Sequence, residues 1–192
     1  MPTTAKPTIL QDPGYLFWAP LGTALPVNTV AGSKFTDVWS APWVSLGATD
    51  DGSEFSYESK LEPINAAEFL DPITWATTER NGTMSFALMH YTLANLKIAL
   101  NGATLTIVSG AGATQLNKLT PAVPGTEVRS MIGWESLDST MRILMHQTIQ
   151  GGAMKSSFKK APNAATIPCT FNFEVPASGL PFDVYTAGLA RA

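Results

Sequence analysis

The sequence contains few of the residues that covalent, metal or ionic stabilisation requires. One cysteine, Cys169, and two histidines exclude an intrachain disulfide and argue against a tetrahedral zinc site. Charged residues make up 14% of the 192 positions, against about 25% in an ordinary soluble domain. No apolar run approaches about 18 residues, which excludes a transmembrane helix, and we expect no membrane partner. An apolar core must therefore hold the fold, and a chain of this length can bury one.

The charge balance narrows the possible partners. Fifteen acidic and twelve basic residues leave a net charge of −3, with an isoelectric point near 5.3. A dedicated nucleic-acid binder usually carries a basic surplus, so this class is not expected. A weakly charged surface also does little to oppose self-association. Residues 1–10 are polar and interrupted by Pro2 and Pro7, so we expect no secretory signal.

Short apolar runs separated by turn residues predict many antiparallel strands. Between Glu54 and Glu62, Phe55, Tyr57 and Leu61 alternate with polar residues, which is typical of a strand with one solvated face. An Asn-Gly pair at 81–82 predicts a tight hairpin turn. Further strands are predicted at 73–79, 83–88, 104–108, 128–137, 140–150, 154–160, 166–175 and 182–186, with a turn at 138–139 and a loop at 110–124.

One segment changes to helical spacing. Leu93 and Leu96 begin an apolar stripe that continues to residue 100, and Asn95 lies off this stripe. Thr92 is suited to cap the first turn, because its hydroxyl can accept a hydrogen bond from a free backbone N–H. We predict one short amphipathic helix at about residues 92–101 that docks on the flank of the sheet.

These elements predict a single domain over residues 1–192. The fold class is mainly β: an antiparallel β-sandwich or barrel with one flanking helix. We divide the chain into an extended N-terminal arm (1–42), a β core that starts at Trp43 (43–180) and a C-terminal tail (181–192). The arm contains an aromatic cluster at 15–18 that water should not leave exposed. It either folds back on its own core or reaches a neighbouring subunit, and the sequence favours neither.

No motif in the sequence predicts catalysis. His90 and His146 have no nucleophile elbow nearby, and structural roles explain both more readily. Cys169 falls on the apolar face of its predicted strand, with no basic neighbour to lower its pKa, so we interpret it as a core residue. We therefore expect a protein that is not an enzyme and that needs no cofactor.

A small acidic cluster is the one candidate for a metal site. Asp50, Asp51 and Glu54 surround Gly52, and their oxygens are of the type that hard cations prefer. Their spacing lacks the alternating ligands of a calcium loop. A solvated Asp-Gly turn explains the cluster better.

The charges are distributed unevenly along the chain. Residues 45–80 contain eight acidic and two basic residues, whereas 139–173 contain four basic residues and no acidic one. These regions are either two solvated patches of one fold or complementary surfaces through which one copy binds the next head to tail. The basic residues are Arg142, Lys155, Lys159 and Lys160.

Three groups of short phrases carry a resemblance to a known family. They are LGATDDGSEFSY at 46–57 with EPINAAEFLDP at 62–72; NGTMSFAL at 81–88 running into the predicted helix; and IGWE, FKKAP and ATIP at 132–135, 158–162 and 165–168. Over residues 43–175 the chain resembles the major tail tube protein of long, non-contractile-tailed bacteriophages.

The resemblance implies a β-sandwich-like subunit that assembles with itself. Six copies would form a ring, and rings would stack into a hollow tube around the tape-measure protein, closed by a tail terminator. An acidic channel would let DNA pass without specific binding. The protein would be made in the host cytoplasm and reside in the virion tail.

The resemblance also suggests where copies touch. Loops near the predicted Asp-Gly turn, at residues 50–53, would bridge rings. Together with the charge asymmetry, this gives a set of candidate interface residues: Asp50, Asp51, Gly52, Ser53, Glu54, Lys155, Lys159 and Lys160.

Two alternatives remain open at this point. The first is a monomeric β-sandwich binding module, for example for carbohydrate, in which Trp39, Trp43 and Trp75 would form a flat exposed platform. The second is another phage component, such as a head–tail connector or a tail terminator, because the same physics would apply to it.

Overall fold

Strands dominate the computed structural model, which describes residues 13–156, 158 and 164–188. The fold is mainly β with one α-helix in these residues, as predicted. The elements are β1 (Tyr15–Pro20), β2 (Val30–Ala31), β3 (Lys34–Phe35), β4 (Val44–Ser45), β5 (Thr49–Ile64), β6 (Thr74–Leu88), α1 (Leu93–Ala99), β7 (Thr104–Ser109), β8 (Leu116–Thr120), β9 (Arg129–Glu135), β10 (Met141–Gln150), β11 (Ile167–Phe173) and β12 (Phe182–Thr186).

One large antiparallel sheet organises the chain. Its order is β4-β1-β9-β10-β11-β6-β5, and β12 pairs with the first half of β10. Strands β4 and β5 lie at opposite ends of this order, yet only residues 46–48 separate them in sequence. The Leu46 N–H donates to the Leu16 carbonyl (2.9 Å), and the Met89 N–H donates to the Ala48 carbonyl (2.9 Å). The sheet therefore bends into a sandwich, and it is not a closed barrel in the described residues.

The main core lies on one side of this bent sheet, and a smaller buried cluster around Trp43 and Leu144 lies on the other. Phe171 of β11 stacks on Phe86 of β6 with ring centroids 5.8 Å apart. Leu16, Met84 and Ile132 are buried around them. Burial of each such side chain contributes about 1.5–3 kcal/mol. The predicted alternation in β11 is confirmed, because its apolar positions are those that face the core.

Helix α1 begins and ends where the sequence predicts, but it buries a different face. The Thr92 hydroxyl accepts a hydrogen bond from the Asn95 N–H (3.2 Å), and the helix ends before Asn101, which has a φ of +55°. Leu93 is exposed and Asn95 is buried, so the predicted stripe is wrong at both positions. The Asn95 amide donates to the carbonyls of Leu46 (3.0 Å) and His90 (2.7 Å), and these oxygens need a donor once the helix covers them.

The Asn-Gly hairpin prediction is wrong. Asn81 and Gly82 lie inside β6, and the turn that joins β5 to β6 is at residues 65–73. A Cβ atom on Gly82 would lie 2.0 Å from the Phe173 ring, so glycine is needed there for close packing rather than for a turn.

Three further strand predictions need correction. Strands do not begin at Trp43, because Tyr15–Pro20 already forms β1 between β4 and β9. The predicted loop at 110–124 contains β8, which pairs with β7. Residues 153–156 and 158 form no strand, and 157, 159 and 160 of the predicted strand at 154–160 lie outside the described residues. The predicted strands at 128–137, 140–150 and 182–186 are present.

Arg142 fastens much of the predicted arm to the sheet. Its guanidinium, fully buried, pairs with the Glu135 carboxylate (3.0 Å) and donates to the Val27 carbonyl (3.2 Å). The same group donates to the Asp37 carbonyl and lies over the Phe35 ring, 4.6 Å from its centroid. Segment 27–39 therefore packs on the chain's own sheet. Residues 1–12 of the arm lie outside the described residues.

Candidate functional site

The outer half of the β5–β6 hairpin is a long, exposed piece of regular structure. We call residues 57–81 the ribbon. Its two arms, 57–64 and 74–81, pair with each other from Glu58 opposite Asn81 to Ile64 opposite Thr74. Each arm spans roughly 25 Å at the usual rise per strand residue. All ribbon residues are exposed except Ala66 and Ala76, which are partly buried.

One face of the ribbon carries three large apolar side chains, with Ser59 and Arg80 between them. Tyr57, Leu61 and Trp75 lie on the same side of the two strands as the core residues Phe55 and Met84. They remain 43%, 53% and 58% exposed. The predicted alternation of β5 is confirmed. Beyond Tyr57, however, the apolar face of this strand is no longer covered by the core.

The opposite face of the ribbon is acidic. This face, which continues that of Glu54 and Ser56 at the base of the hairpin, carries Lys60 and the carboxylates of Glu58, Glu62 and Glu79. Lys60 pairs with Glu62 (3.1 Å), and the Asn81 amide donates to Glu79 (2.8 Å). Both contacts are solvent-exposed, and such pairs contribute little to stability. This face therefore presents a negative surface to solvent.

An aromatic cluster holds the base of the ribbon. The Phe182 ring of β12 lies 5.1 Å from Tyr57, 5.2 Å from Phe55 and 5.3 Å from Phe173, measured between centroids. Gly82 leaves room for the Phe173 ring in this cluster. The direction in which the ribbon leaves the body is thus fixed by packing on two strands far away in sequence.

The tip of the ribbon, residues 65–73, presents two adjacent apolar side chains. Phe69 is 66% exposed and Leu70 is 106% exposed, and Glu68 and Asp71 flank the pair. The Ile73 N–H donates to the Ile64 carbonyl (2.9 Å) and closes the loop. Large apolar residues side by side at a loop tip suit contact with another surface.

The predicted Asp-Gly turn is part of a strand. Thr49 pairs with Leu88 and Ser53 pairs with Phe86, so residues 50–52 form a bulge in β5. Gly52 has a φ of +79°, which favours glycine at this bulge. Asp50, Asp51 and Glu54 point to solvent, while Gly52 and Ser53 are partly buried.

The predicted basic patch loses one of its members. Arg142 is buried against Glu135 and cannot contribute to a surface, so its inclusion is wrong. Lys155 is exposed on the segment after β10. Lys159 and Lys160 lie outside the described residues. The roles of Lys155, Lys159 and Lys160, and of residues 50–54, as interfaces stay predictions.

An apolar cleft of about 390 Å³ lies between α1 and the ends of β1, β4 and β9. We call it the helix cleft. Trp18, Val44, Ile98 and Val128 form its walls, and Phe171 lies at its floor. Sequence reasoning missed this feature, because its walls come from five separate elements.

The groups considered for chemistry have structural surroundings. Burial raises the pKa of the Cys169 thiol to about 12, so its reactive thiolate is suppressed. His146 lies 3.2 Å from the Asp183 carboxylate, across two paired strands, and His90 is exposed. Within residues 13–156, 158 and 164–188, no three His, Cys, Asp or Glu side chains form a group able to hold a metal ion. No helix among these residues has the length and apolar character needed to cross a membrane.

The fold and its surfaces define a β-sandwich subunit with a projecting, two-faced ribbon, which is a class of protein suited to contacts between chains. A family model described as phage tail tube protein matches residues 3–172. The chain therefore belongs to the phage tail tube protein family, which confirms the family predicted from residues 43–175. It is a structural component of the virion tail, from a structural rather than an enzymatic family. No curated protein sequence matched the chain.

Proposed function

We propose that this protein assembles into rings of six copies and that the rings stack into a hollow tube through which DNA passes. The apolar face of the ribbon is the observation that carries the proposal. Two-stranded ribbons are marginal in water unless a further layer covers them. In the described residues Leu61 and Trp75 have no such layer, and Tyr57 is covered only in part, by the Phe182 ring. A neighbouring copy is the covering layer that a tail tube subunit would have.

The acidic face of the ribbon supports a role in the channel wall. If its apolar face packs against a neighbour, then Glu54, Glu58 and Glu62 point away from that contact. Carboxylates in this position would repel the phosphates of passing DNA. They would create no attraction that a conduit has to overcome. In this arrangement the tape-measure protein occupies the tube before the DNA, and a tail terminator closes the stack.

The candidate interface residues extend the proposal beyond the ribbon. The exposed carboxylates of Asp50 and Asp51 would meet the basic residues Lys155, Lys159 and Lys160 of the next copy. Gly52 and Ser53 would shape the bulge that presents them. Opposite charges on two surfaces of a subunit favour a head-to-tail contact that repeats along an axis.

Of the alternatives, the carbohydrate-binding module has less support. It requires Trp39, Trp43 and Trp75 to share a flat exposed surface. Trp39 instead stacks on Phe17 with centroids 4.3 Å apart, and Trp43 is buried. Among the three, Trp75 is the exposed one, and it lies on the ribbon.

The test of the ribbon uses substitutions of exposed apolar residues on its two faces. We expect Leu61→Ser combined with Trp75→Ser to abolish rings and tubes in negative-stain micrographs and to reduce light scattering to that of a monomer. Ile64→Ser removes a comparable exposed side chain from the other face and should leave assembly intact. Equal assembly by all three proteins would overturn the proposed contact.

The test of the proposed contact between acidic and basic residues uses charge-reversal variants. Lys159→Glu with Lys160→Glu should slow polymerisation without unfolding the monomer, whereas Lys118→Glu, an exposed charge outside the proposed patch, should not. Tubes of normal length from the double variant would count against the basic segment as an interface.

A further inference from the structure

Beyond the ring contact, the structure contains an exposed apolar tip and an open apolar cleft. We propose that Phe69 and Leu70 at the tip of one copy insert into the helix cleft of a second copy. This inference rests on the proposed function, because it assigns the contact that joins successive copies of the assembly.

No residue of the described part of the chain fills the helix cleft, and its walls are open to solvent. Val44 and Val128 both line it and are exposed, although both are apolar. Apolar cavities of about 150 Å³ are large enough to hold a benzene ring. A cleft of about 390 Å³ therefore has room for the Phe69 ring together with the Leu70 side chain.

The tip does not fill the cleft of its own chain. Leu70 is completely exposed, and Phe69 is mostly so. Both sit at the end of paired strands whose base is fixed by the Phe182 cluster. The position of the tip is therefore consistent with its entering the cleft of another chain.

The charges around the two surfaces are complementary. Glu68 and Asp71 flank the apolar pair on the tip, and Lys97 of α1 lies at the rim of the cleft. An apolar anchor in a pocket, surrounded by opposite charges, gives both affinity and orientation. Since tip and cleft are different surfaces of one subunit, the contact is heterologous and repeats from copy to copy.

Disulfide cross-linking between two chains tests the contact directly. One full-length chain carries Leu70→Cys and a second, with a distinguishing tag, carries Ala94→Cys at the exposed rim of the cleft. The native Cys169 is buried and does not compete. After co-assembly and mild oxidation, we expect the mixed disulfide at least five-fold above the control pair of Leu70→Cys with Val175→Cys. Equal yields in the two pairs would overturn the inference.

A second variant fills the cleft without adding a thiol. Ala94→Trp places a large ring at the rim, and the exposed position of Ala94 should keep the monomer folded. We expect at least a ten-fold drop in polymerisation rate, with an unchanged melting temperature of the monomer. Ala177→Trp, at another exposed alanine, is the matched control. An Ala94→Trp protein that polymerises at the control rate would contradict the proposal.

The outcomes separate this inference from the proposed function. Tubes that form normally without the cross-link would overturn the tip–cleft contact and leave the tube intact. A chain that stays monomeric at high concentration would overturn both. An intramolecular disulfide between Ile9→Cys and Ala94→Cys in dilute monomer would assign the cleft to the chain's own N-terminal residues, and would also overturn the inference.

Discussion

The inner and outer halves of the β5–β6 hairpin follow the same alternation but end in opposite environments. In the inner half, Met84, Phe86 and Leu88 are buried in the core. In the outer half, Leu61 and Trp75 continue the same face and stay exposed. The alternation of a strand thus decides which side is apolar. Whether that side is covered depends on what the rest of the structure places against it.

The difference has a simple physical origin. Core residues of other strands, among them Leu16 and Ile132, cover the inner half, whereas in the described residues no second layer extends over the ribbon. Each large apolar side chain left in water forgoes about 1.5–3 kcal/mol of burial free energy. That free energy remains available for association, which is why the ribbon rather than the core carries the proposed function.

The largest expected effect separates the two regions by stability. Phe171→Ala should lower the free energy of unfolding by about 3–5 kcal/mol, because it leaves a cavity in the core. Leu70→Ala at the fully exposed tip should change it by less than about 0.5 kcal/mol. Urea denaturation of the monomer, monitored by tryptophan fluorescence, measures the free energy of unfolding of both variants. A Leu70→Ala protein as unstable as the core variant would mean that the tip is packed in the free monomer.

A smaller effect is expected at the junction of the two regions. Gly82→Ala places a methyl group where the Phe173 ring lies, so the aromatic cluster must shift. We expect a loss of about 1–3 kcal/mol, the usual range for overpacking. Ser56→Ala, on the solvated face of the neighbouring strand, is the control and should be nearly neutral. Should Gly82→Ala unfold like wild type in the same denaturation experiment, the close packing of Phe173 on β6 would not be a constraint.

Local signals explain what the sequence analysis predicted well. The turn between β9 and β10 falls at Asp138 and Ser139, where the Asp138 carboxylate accepts the Thr140 N–H (3.1 Å) and Ser139 adopts a φ of +56°. Thr92 caps the helix through its own hydroxyl. In each case the interaction joins residues a few positions apart, so the pattern contains the information.

Contacts between distant residues explain what it predicted poorly. Gly82 is needed because of Phe173, ninety-one positions later, and not because of its neighbour Asn81. From the sequence alone Arg142 is interpreted as a surface charge, but in the structure Glu135 and the backbone of segment 27–39 enclose it. The helix cleft is assembled from several elements in the same way. These features require the fold before they can be recognised, whereas the polarity of the ribbon's two faces is visible in sequence.

The smallest expected effect compares a carboxylate that accepts hydrogen bonds from other side chains with one that is exposed to solvent. Glu174 accepts hydrogen bonds from Arg129 Nε (3.1 Å) and from the Gln147 amide (2.9 Å), and these contacts lower its pKa below the ordinary value. A depressed pKa stabilises the fold above the pKa of the unfolded chain, and this contribution is lost as the pH falls through the folded pKa.

Glu174→Gln should therefore lower the melting temperature by about 2 °C at pH 7, since partly exposed pairs contribute modestly. The difference from wild type should shrink as the pH falls below the ordinary pKa of glutamate, because the wild-type carboxyl takes up a proton as the pH approaches its lowered folded pKa. Glu58→Gln on the acidic face of the ribbon is the control, and its exposed carboxylate should leave the melting temperature unchanged at both pH values. Thermal melts of dilute monomer at pH 7 and pH 3 give the comparison. Suppose that the difference in melting temperature between Glu174→Gln and wild type is as large at pH 3 as at pH 7. The effect would then come from packing of the side chain rather than from its charge, and this distinction between the body and the ribbon would be lost.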